Sequence, residues 1–439
     1  MGTFALFLFC MSLIGCLVLN ISILYALAAG FFIFCAYGVA MGFSIGELLK
    51  EAFEGVKTAK NVLKTFVFIG MLTALWRAAG TVPVIICYSA GLISPKVFLL
   101  MAFLLNCVVS VLTGTAFGTA ATMGVICMAM SSAMGINPAL SGGAIISGIF
   151  FGDRCSPVST SALLVSELSA TDIYKNIKAM TISAAVPFAI TCAVYIVLGM
   201  FTDAGAGTVD IAGMFESSFN LHWAALLPAA AILIMSALKA KVRTNMLVSI
   251  VFAFFICIFV QNMEISEILR LMVLGYSAKD AQMAEMLNGG GIVSMAKVAA
   301  IVCLSSSYAG LFKATGLLDG LKGAVKRLSE KTTARSAITV GSVVTSMIAC
   351  NQTLAIMLTH QICAEIEPDN YKFAIDLENS VVLIAPLIPW SIASAVPLST
   401  ISAPATGLFA ACFLYLVPLW SLITEAAGKY RFKSKQSAL

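Results

Sequence analysis

Charged residues are scarce in this chain of 439 residues. They make up 11% of it, against 60% hydrophobic residues, and the mean hydropathy is +1.00. A soluble domain of this length needs far more polar surface than that. The hydrophilic stretches are also too short to fold by themselves, which argues against an appended soluble enzyme or nucleic-acid-binding domain. The sequence therefore predicts an all-α, polytopic integral membrane protein.

The usual signatures of catalysis are missing as well. The two histidines, His222 and His360, are far apart, and neither an H-E-x-x-H pattern nor a Walker motif occurs. These absences argue against a membrane-embedded hydrolase and against ATP hydrolysis, and no carbonyl-filter signature indicates a channel. The thirteen cysteines form no C-x-x-C pair and are interpreted as small buried thiols. We expect neither an enzyme nor a resident cofactor or metal.

What is present is a series of apolar runs, each long enough to cross about 30 Å of hydrocarbon, which takes roughly 20 helical residues. About ten spans are predicted, at 4–19, 22–43, 62–80, 97–133, 179–200, 222–238, 244–260, 292–312, 336–362 and 403–426. The first lacks a basic n-region and an A-x-A site, which favours a span over a cleaved signal. Polar residues interrupt 97–133 and 336–362, so both are interpreted as broken spans. The semi-polar segments 137–170 and 373–402 are predicted to be re-entrant helical hairpins.

Basic residues predict the orientation. Lysines and arginines cluster in 50–64, 239–243, 322–335 and 429–435, whereas 201–221 has none, and 261–291 and 363–371 lean acidic. The positive-inside rule places the basic loops and both termini in the cytoplasm. The membrane is predicted to be the inner or plasma membrane of the cell. The net charge of +5 therefore reflects the basic residues that orient the protein in the membrane, and it does not indicate a nucleic-acid partner.

The two halves of the chain share an order of elements. Leu75–Gly80 resembles Leu311–Gly316, and Ser156-Pro157 aligns with Ala385-Pro386. Arg77 falls on the predicted outer side and Lys313 on the inner side, which indicates inverted halves. The predicted division is 1–200 for the first repeat, 201–221 for an extracellular loop, 222–427 for the second repeat and 428–439 for a cytoplasmic tail. Inverted repeats with broken helices are typical of secondary transporters, which bind substrate where the helices break.

Polar residues concentrate at these breaks. Free carbonyls and hydroxyls suit a dehydrated Na⁺, here at Ser156, Thr160 and Asn351, and half-helix N-termini suit a substrate carboxylate. Two structural interpretations without a binding role stay open: the hydroxyls only cap helix ends, and Asp153 only pairs with Arg154. In sequence, Glu378 has no basic neighbour closer than Lys372. The candidate substrate- and ion-binding residues are Thr115, Thr119, Asp153, Ser156, Pro157, Ser159, Thr160, Ser161, Asn351, Gln352, Thr353, Glu378, Asn379, Pro386, Trp390 and Ser391.

Several motifs resemble the NhaC-type Na⁺/H⁺ antiporter family. They are Trp76–Pro83, Leu287–Gly291, Gly152–Ser161, Asp376–Ser380 and Ala385–Ser391, and the similarity extends from about residue 45 to 425. That family typically has G-D-K-x-S-P-L-S-D-T-T in its first polar segment, and E-D-A-G and S-P-L-I-P-W-N in its second half. The resemblance implies a scaffold with a mobile transport domain, an elevator-type movement and a homodimer in the lipid bilayer.

The chain departs from the family pattern at three acids. It has Thr160 where the family has an acid after S-P-L-S, Asn351 in place of the acid of G-D-Q, and Asn379 in place of the acid of E-D. Antiport of Na⁺ against H⁺ needs an ionisable group at which the two ions compete. Neutral donors and acceptors suit a small organic substrate better. We therefore predict a Na⁺- or H⁺-coupled secondary transporter of an amino acid or carboxylate, with a Na⁺/H⁺ antiporter as the alternative.

Overall fold

The prediction of an all-helical chain is confirmed by a computed structural model. It describes residues 2–19, 21–90, 94–157, 159–202, 215, 218–238, 240, 242–278, 283–284, 287–317, 319–349 and 351–436, and within these ranges it contains helices and no strand. Most of the predicted extracellular loop, 201–221, lies outside the described residues.

The helices of the first half are α1 Gly2–Val18, α2 Ile23–Ala40, α3 Ile45–Thr58, α4 Lys60–Ala78, α5 Thr81–Ala90, α6 Pro95–Thr113, α7 Ala116–Thr119, α8 Val125–Ala133, α9 Pro138–Cys155, α10 Thr160–Leu168 and α11 Ile173–Met200, with a π-helical turn, Ala120–Gly124, between α7 and α8.

Those of the second half are α12 Leu227–Ala237, α13 Val242–Phe259, α14 Ile265–Leu274, α15 Ala296–Thr315, α16 Asp319–Lys331, α17 Ala334–Ala349, α18 Gln352–Cys363, α19 Asn370–Asn379, α20 Val381–Ile384, α21 Ile392–Thr400 and α22 Cys412–Gln436, with 3₁₀ turns at Trp223–Leu226, Ile292–Met295, Ala385–Leu387 and Ala405–Ala410.

Five helices of the described chain are long and apolar enough to cross a membrane, or six if the bent pair 370–387 and 392–400 is one span. Shorter apolar helices, among them Arg243–Phe259 and Cys412–Ala427, accompany them. The count of about ten spans stays a prediction.

The first interrupted segment, 97–133, folds back on itself. Pro95 starts α6, and Gly114 ends it in the left-handed conformation that glycine adopts without strain. The amide Nδ2 of Asn106 then lies 3.5 Å from Sγ of Cys127 on α8. Close approaches of Gly148 to Phe103 and of Gly152 to Ser110 make α9 parallel to α6. The chain between them therefore has to reverse its direction twice.

The second interrupted segment, 336–362, also folds back. The hydroxyls of Thr345, near the end of α17, and Thr359, in the second half of α18, are 2.6 Å apart although the break lies between them. Beyond α18, Glu365 pairs with Lys322 and Lys326 of α16, at 2.7 and 3.6 Å. The acidic segment 363–371 and the basic segment 322–335 thus lie at the same end of the structure. Placing them on opposite sides, with one broken span between them, was wrong.

The two polar segments that were expected to be hairpins consist of interrupted helices. In the second, 370–387 and 392–400 are bent by 55° at the break. In the first, α9 and α10 are separated by 156–159. That both segments are re-entrant in a bilayer stays a prediction.

The breaks of the two halves match in local geometry. Thr115 and Asn351 each precede a helix with φ −149° and ψ near 125°. Ser159 and Ser391 also each precede a helix, with φ near −70°. Each donates its backbone N–H to the carbonyl three residues before it. This register pairs Pro157 with Pro389, 232 residues apart, where the sequence alignment had paired it with Pro386. The inverted relation of the halves stays a prediction.

A separate hydrophobic cluster joins α1, α2, α3 and α15. Its centre is an aromatic group in which Phe9, Phe34 and Tyr308 meet edge to face at 5.1–5.4 Å. Glycine allows α15 to touch α3: a Cβ built on Gly310 would lie 1.9 Å from the carbonyl oxygen of Glu51. This contact fixes α3 beside the cavity described below.

We expect Gly310→Ala to lower the free energy of unfolding by about 1–3 kcal/mol, because its methyl group forces α3 away from α15. Thermal unfolding in detergent measures this. Gly320→Ala is the matched control, since its Cβ meets no atom within 4 Å and alanine favours helix there. Equal melting temperatures for Gly310→Ala and the wild type would contradict the contact.

Candidate transport site

A cavity of about 920 Å³ lies where the breaks of both halves meet. Helices α3 and α15 form one wall, and α7, α9, α10, α18 and α21 contribute the rest. Six of the sequence-predicted site residues line it: Thr115, Asp153, Thr160, Asn351, Gln352 and Thr353. The volume suits a small organic molecule, since ligand pockets usually measure roughly 300–1,000 Å³.

Asp153 is the buried carboxylate of this cavity, with 4% of its surface exposed. It accepts hydrogen bonds from Ser161 Oγ at 2.9 Å, from Gln352 Nε2 at 3.1 Å and from Ser159 Oγ at 3.3 Å. Gln352 also accepts a bond from Ser161 at 3.3 Å. The carboxylate is therefore held in a fixed orientation by residues of both halves, with its charge available to the cavity.

Four helices begin around the cavity, and their first residues carry capping side chains. Ser159 accepts from the N–H groups of Ser161 and Ala162, Asn351 from Thr353, Ser391 from Ala393, and Thr115 from Gly118. Among the hydroxyls of the first polar segment, Ser159 is therefore a helix cap, as the alternative interpretation had it. Helix N-termini carry partial positive charge and favour anionic groups.

The other predicted residues support the breaks without lining the cavity in the described chain. Ser156 Oγ donates to the carbonyl of Val111 at 2.6 Å, Thr119 Oγ1 to that of Thr115 at 2.9 Å, and Trp390 Nε1 to that of Met347 at 2.9 Å. Pro157 lies in the first break and Pro386 in a buried turn before the second. Of the residues predicted to bind Na⁺, Thr160 and Asn351 reach the cavity and Ser156 points away from it.

Arg154 points away from Asp153, and the two form no ion pair in the described chain. Its fully buried guanidinium donates to Asn379 Oδ1, Ser183 Oγ at 2.9 Å, the Met180 carbonyl at 3.1 Å and the Glu378 carbonyl at 3.2 Å. Glu378 therefore has a basic neighbour in space that its sequence context did not reveal. Both Glu378 and Asn379 lie in this cluster, behind the cavity wall.

Three charged residues of the cavity were missed from the sequence. Glu51 and Glu54 on α3 and Lys313 on α15 line its more exposed end. The available signal was the spacing of Glu47, Glu51 and Glu54, which puts three acids on one face of an amphipathic helix.

A protein-family model described as the Na⁺/H⁺ antiporter family matches residues 148–429. This range covers more than half of the chain and includes the second fold-back, the bent helices and most of the cavity.

Characterised relatives cover most of the chain at low identity. The malate-2H⁺/Na⁺-lactate antiporter of Bacillus subtilis is 27% identical over 85% of this chain and 82% of the relative. The Na⁺/H⁺ antiporter NhaC of Alkalihalophilus pseudofirmus is 25% identical over 87% and 85%. The arginine/ornithine antiporter ArcD of Halobacterium salinarum is 26% identical over 84% and 79%. From the motifs, the fold-backs and the family model together, this chain belongs to the Na⁺/H⁺ antiporter family of membrane transporters.

Proposed function

We propose that this protein exchanges a small organic solute, an amino acid or a carboxylate, across the membrane in a cation-coupled cycle. The observation that carries the proposal is the cavity of about 920 Å³, whose deep wall has one carboxylate, Asp153, among amides and hydroxyls. A dehydrated Na⁺ needs a few oxygen ligands and no such volume. An organic solute with several polar groups fits both the size and the donors and acceptors.

The charges favour a solute that carries an amino group. Asp153, Glu51 and Glu54 line the cavity against one lysine, Lys313. Lys57 pairs with Glu54 at 2.5 Å, and the net charge of the remaining groups is still negative when all are ionised. An ammonium group beside Asp153 gains a charge-assisted hydrogen bond. The helix starts at Asn351 and Ser391 favour a carboxylate on the same molecule. An amino acid satisfies both ends.

Two relatives support an organic solute. The Bacillus subtilis protein is named for malate and lactate, and the Halobacterium salinarum protein for arginine and ornithine. Other relatives are named Na⁺/H⁺ antiporters, and that function is the alternative. The neutral residues Thr160 and Asn351 at the cavity weigh against it, because they stand where the family pattern has acids at which Na⁺ and H⁺ can compete, and they leave Asp153 as the buried carboxylate of the cavity.

We further propose an elevator-type movement of a mobile domain, built from the fold-backs and bent helices, against a scaffold. The matched breaks of the two halves support this, as does the division into hydrophobic clusters, one around Phe9, Phe34 and Tyr308 and another around α17–α20. The homodimer, the plasma-membrane location and the cytoplasmic termini belong to the same proposal.

The test is counterflow in proteoliposomes that contain the purified protein. Vesicles loaded in turn with unlabelled L-arginine, L-ornithine, L-alanine, L-malate or L-lactate receive the same solute in radiolabelled form. We expect at least one to exchange faster than in protein-free vesicles, and to accumulate when a Na⁺ or pH gradient is imposed. Folded protein that exchanges none of them contradicts the proposal for these solute classes.

A further inference from the structure

Glu378 is a buried carboxyl group that the cavity does not use. None of its surface is exposed, and neither Oε1 nor Oε2 has a hydrogen-bond partner in the described part of the chain. Its backbone carbonyl accepts from Arg154, so the residue is fixed at the contact of α19 with α9. Burying an ionised carboxylate without partners is among the most expensive arrangements in a protein. Such a group needs a specific neutralising partner.

The charges around Glu378 do not balance. The ionisable groups that face it from the packed elements are Arg154, Asp153 and the thiol of Cys155, all on α9. From α11 and its own helix, the cluster receives Ser183, the Met180 carbonyl and Asn379, which are neutral. Two acids, Glu378 and Asp153, are thus set against one buried cation, Arg154, which hydrogen-bonds to neither carboxylate in the described chain. One further positive charge restores neutrality.

We propose that Glu378 is the coupling site and that the ion it binds is a proton, held outside the solute cavity. This inference rests on the proposed function and deepens it. In the step, one carboxylate oxygen forms an O–H bond with a proton taken from water on one side of the membrane, and that proton returns to water on the other. A proton needs no further ligand, whereas Na⁺ needs several oxygens, and neither oxygen of this carboxylate has a hydrogen-bond partner in the described chain.

Gln352 connects the proton site to the cavity. Its Nε2 donates to Asp153 Oδ2 at 3.1 Å and to the carbonyl of Val382 at 2.9 Å, four residues beyond Glu378 and on the other side of the helix break at Ser380. A positive solute group beside Asp153 and a proton on Glu378 neutralise the same excess negative charge. Binding of one therefore weakens binding of the other, and by linkage the effect is reciprocal. That competition is the requirement for exchange of a solute against a proton.

A spectroscopic test needs no solute. Infrared difference spectra of the reconstituted protein, recorded over a pH titration, report the C=O stretch of a protonated carboxyl group without hydrogen bonds. We expect this band in the wild type, its loss in Glu378→Gln, and its retention in Glu330→Gln, where the same substitution changes an exposed side chain of α16. The same titrating band in Glu378→Gln would overturn the assignment.

A transport test addresses the coupling. With the labelled solutes L-arginine, L-ornithine, L-alanine, L-malate and L-lactate, we expect Glu378→Gln to retain measurable counterflow and to lose accumulation driven by a pH gradient. Glu330→Gln should keep both. Accumulation by Glu378→Gln under a pH gradient overturns the proton site, as does loss of counterflow by a variant that elutes and melts like the wild type. If the wild type itself exchanges no solute, the proposed function fails, and the infrared titration still decides the proton site.

Discussion

Replacing Arg154 with methionine should lower the free energy of unfolding by about 3–5 kcal/mol, the usual effect of removing one partner from a buried charge cluster. The guanidinium joins α9, α11 and α19 through Asn379, Ser183, Met180 and the Glu378 carbonyl, and its positive charge acts on the buried carboxylate of Glu378. Methionine fills much of the space but leaves the buried carboxylate of Glu378 without its counter-charge. Thermal unfolding in detergent, with expression level as a second measure, tests this.

The matched variant is the double substitution Arg154→Met with Glu378→Gln, which removes one charge of each sign. If Arg154 acts mainly as the counter-charge of Glu378, the double variant should recover a large part of the stability lost by Arg154→Met. A double-mutant cycle measures the coupling, because the two residues are in contact. Strictly additive losses would mean that Arg154 stabilises the fold through its hydrogen bonds alone.

Replacing Asp153 with asparagine should weaken the apparent affinity for amino-acid substrates by about ten- to a hundredfold, or roughly 1.5–3 kcal/mol. Asparagine preserves the shape of the side chain but removes the charge that an ammonium group requires. The measurement is the concentration dependence of counterflow with labelled L-arginine, L-ornithine and L-alanine.

Asp369→Asn provides the control for this substitution. Asp369 is the exposed residue before α19, where it accepts from the N–H groups of Tyr371 and Lys372. Asparagine caps a helix about as well as aspartate, so neither stability nor affinity should change. An unchanged affinity in Asp153→Asn would remove Asp153 from the solute site.

The positions of the breaks were predictable from sequence because their causes are local. Gly114 takes the left-handed conformation that ends a helix, and Pro157 stands in a run of hydroxyl residues around Ser159 that favours a break. A membrane tolerates such polar backbone only inside protein or beside a cavity. The same reasoning brought Thr115, Asp153, Thr160 and Asn351 to one site, where the structure has them.

The direction that the chain takes after each break could not be predicted from the local sequence. A helix that ends at Ala349 and resumes at Gln352 can continue or turn back, and the contacts that decide this join residues far apart in sequence, such as Lys322 with Glu365. The acidic loop 363–371 suggested the outer side, yet acidic residues contribute little to orientation, and here they pair with the basic helix α16.

The adjacent residues Asp153 and Arg154 show a second limit of prediction from sequence. Neighbours in sequence suggested an ion pair, but consecutive residues of a helix point about 100° apart. Asp153 faces the cavity through Ser161 and Gln352, while Arg154 faces α11 and α19. Only the fold shows that Glu378 lies beside Arg154 and that neither of its carboxylate oxygens has a hydrogen-bond partner in the described chain.

The claim that an organic solute is the transported species is tested most directly by following internal pH in proteoliposomes that contain the wild-type protein and a pH-sensitive dye. A Na⁺ gradient imposed with no organic solute present should move no protons, and proton movement should begin when a transported solute from the counterflow panel is added. Sustained Na⁺-driven proton movement without any organic solute would contradict this claim and would identify the protein as a Na⁺/H⁺ antiporter.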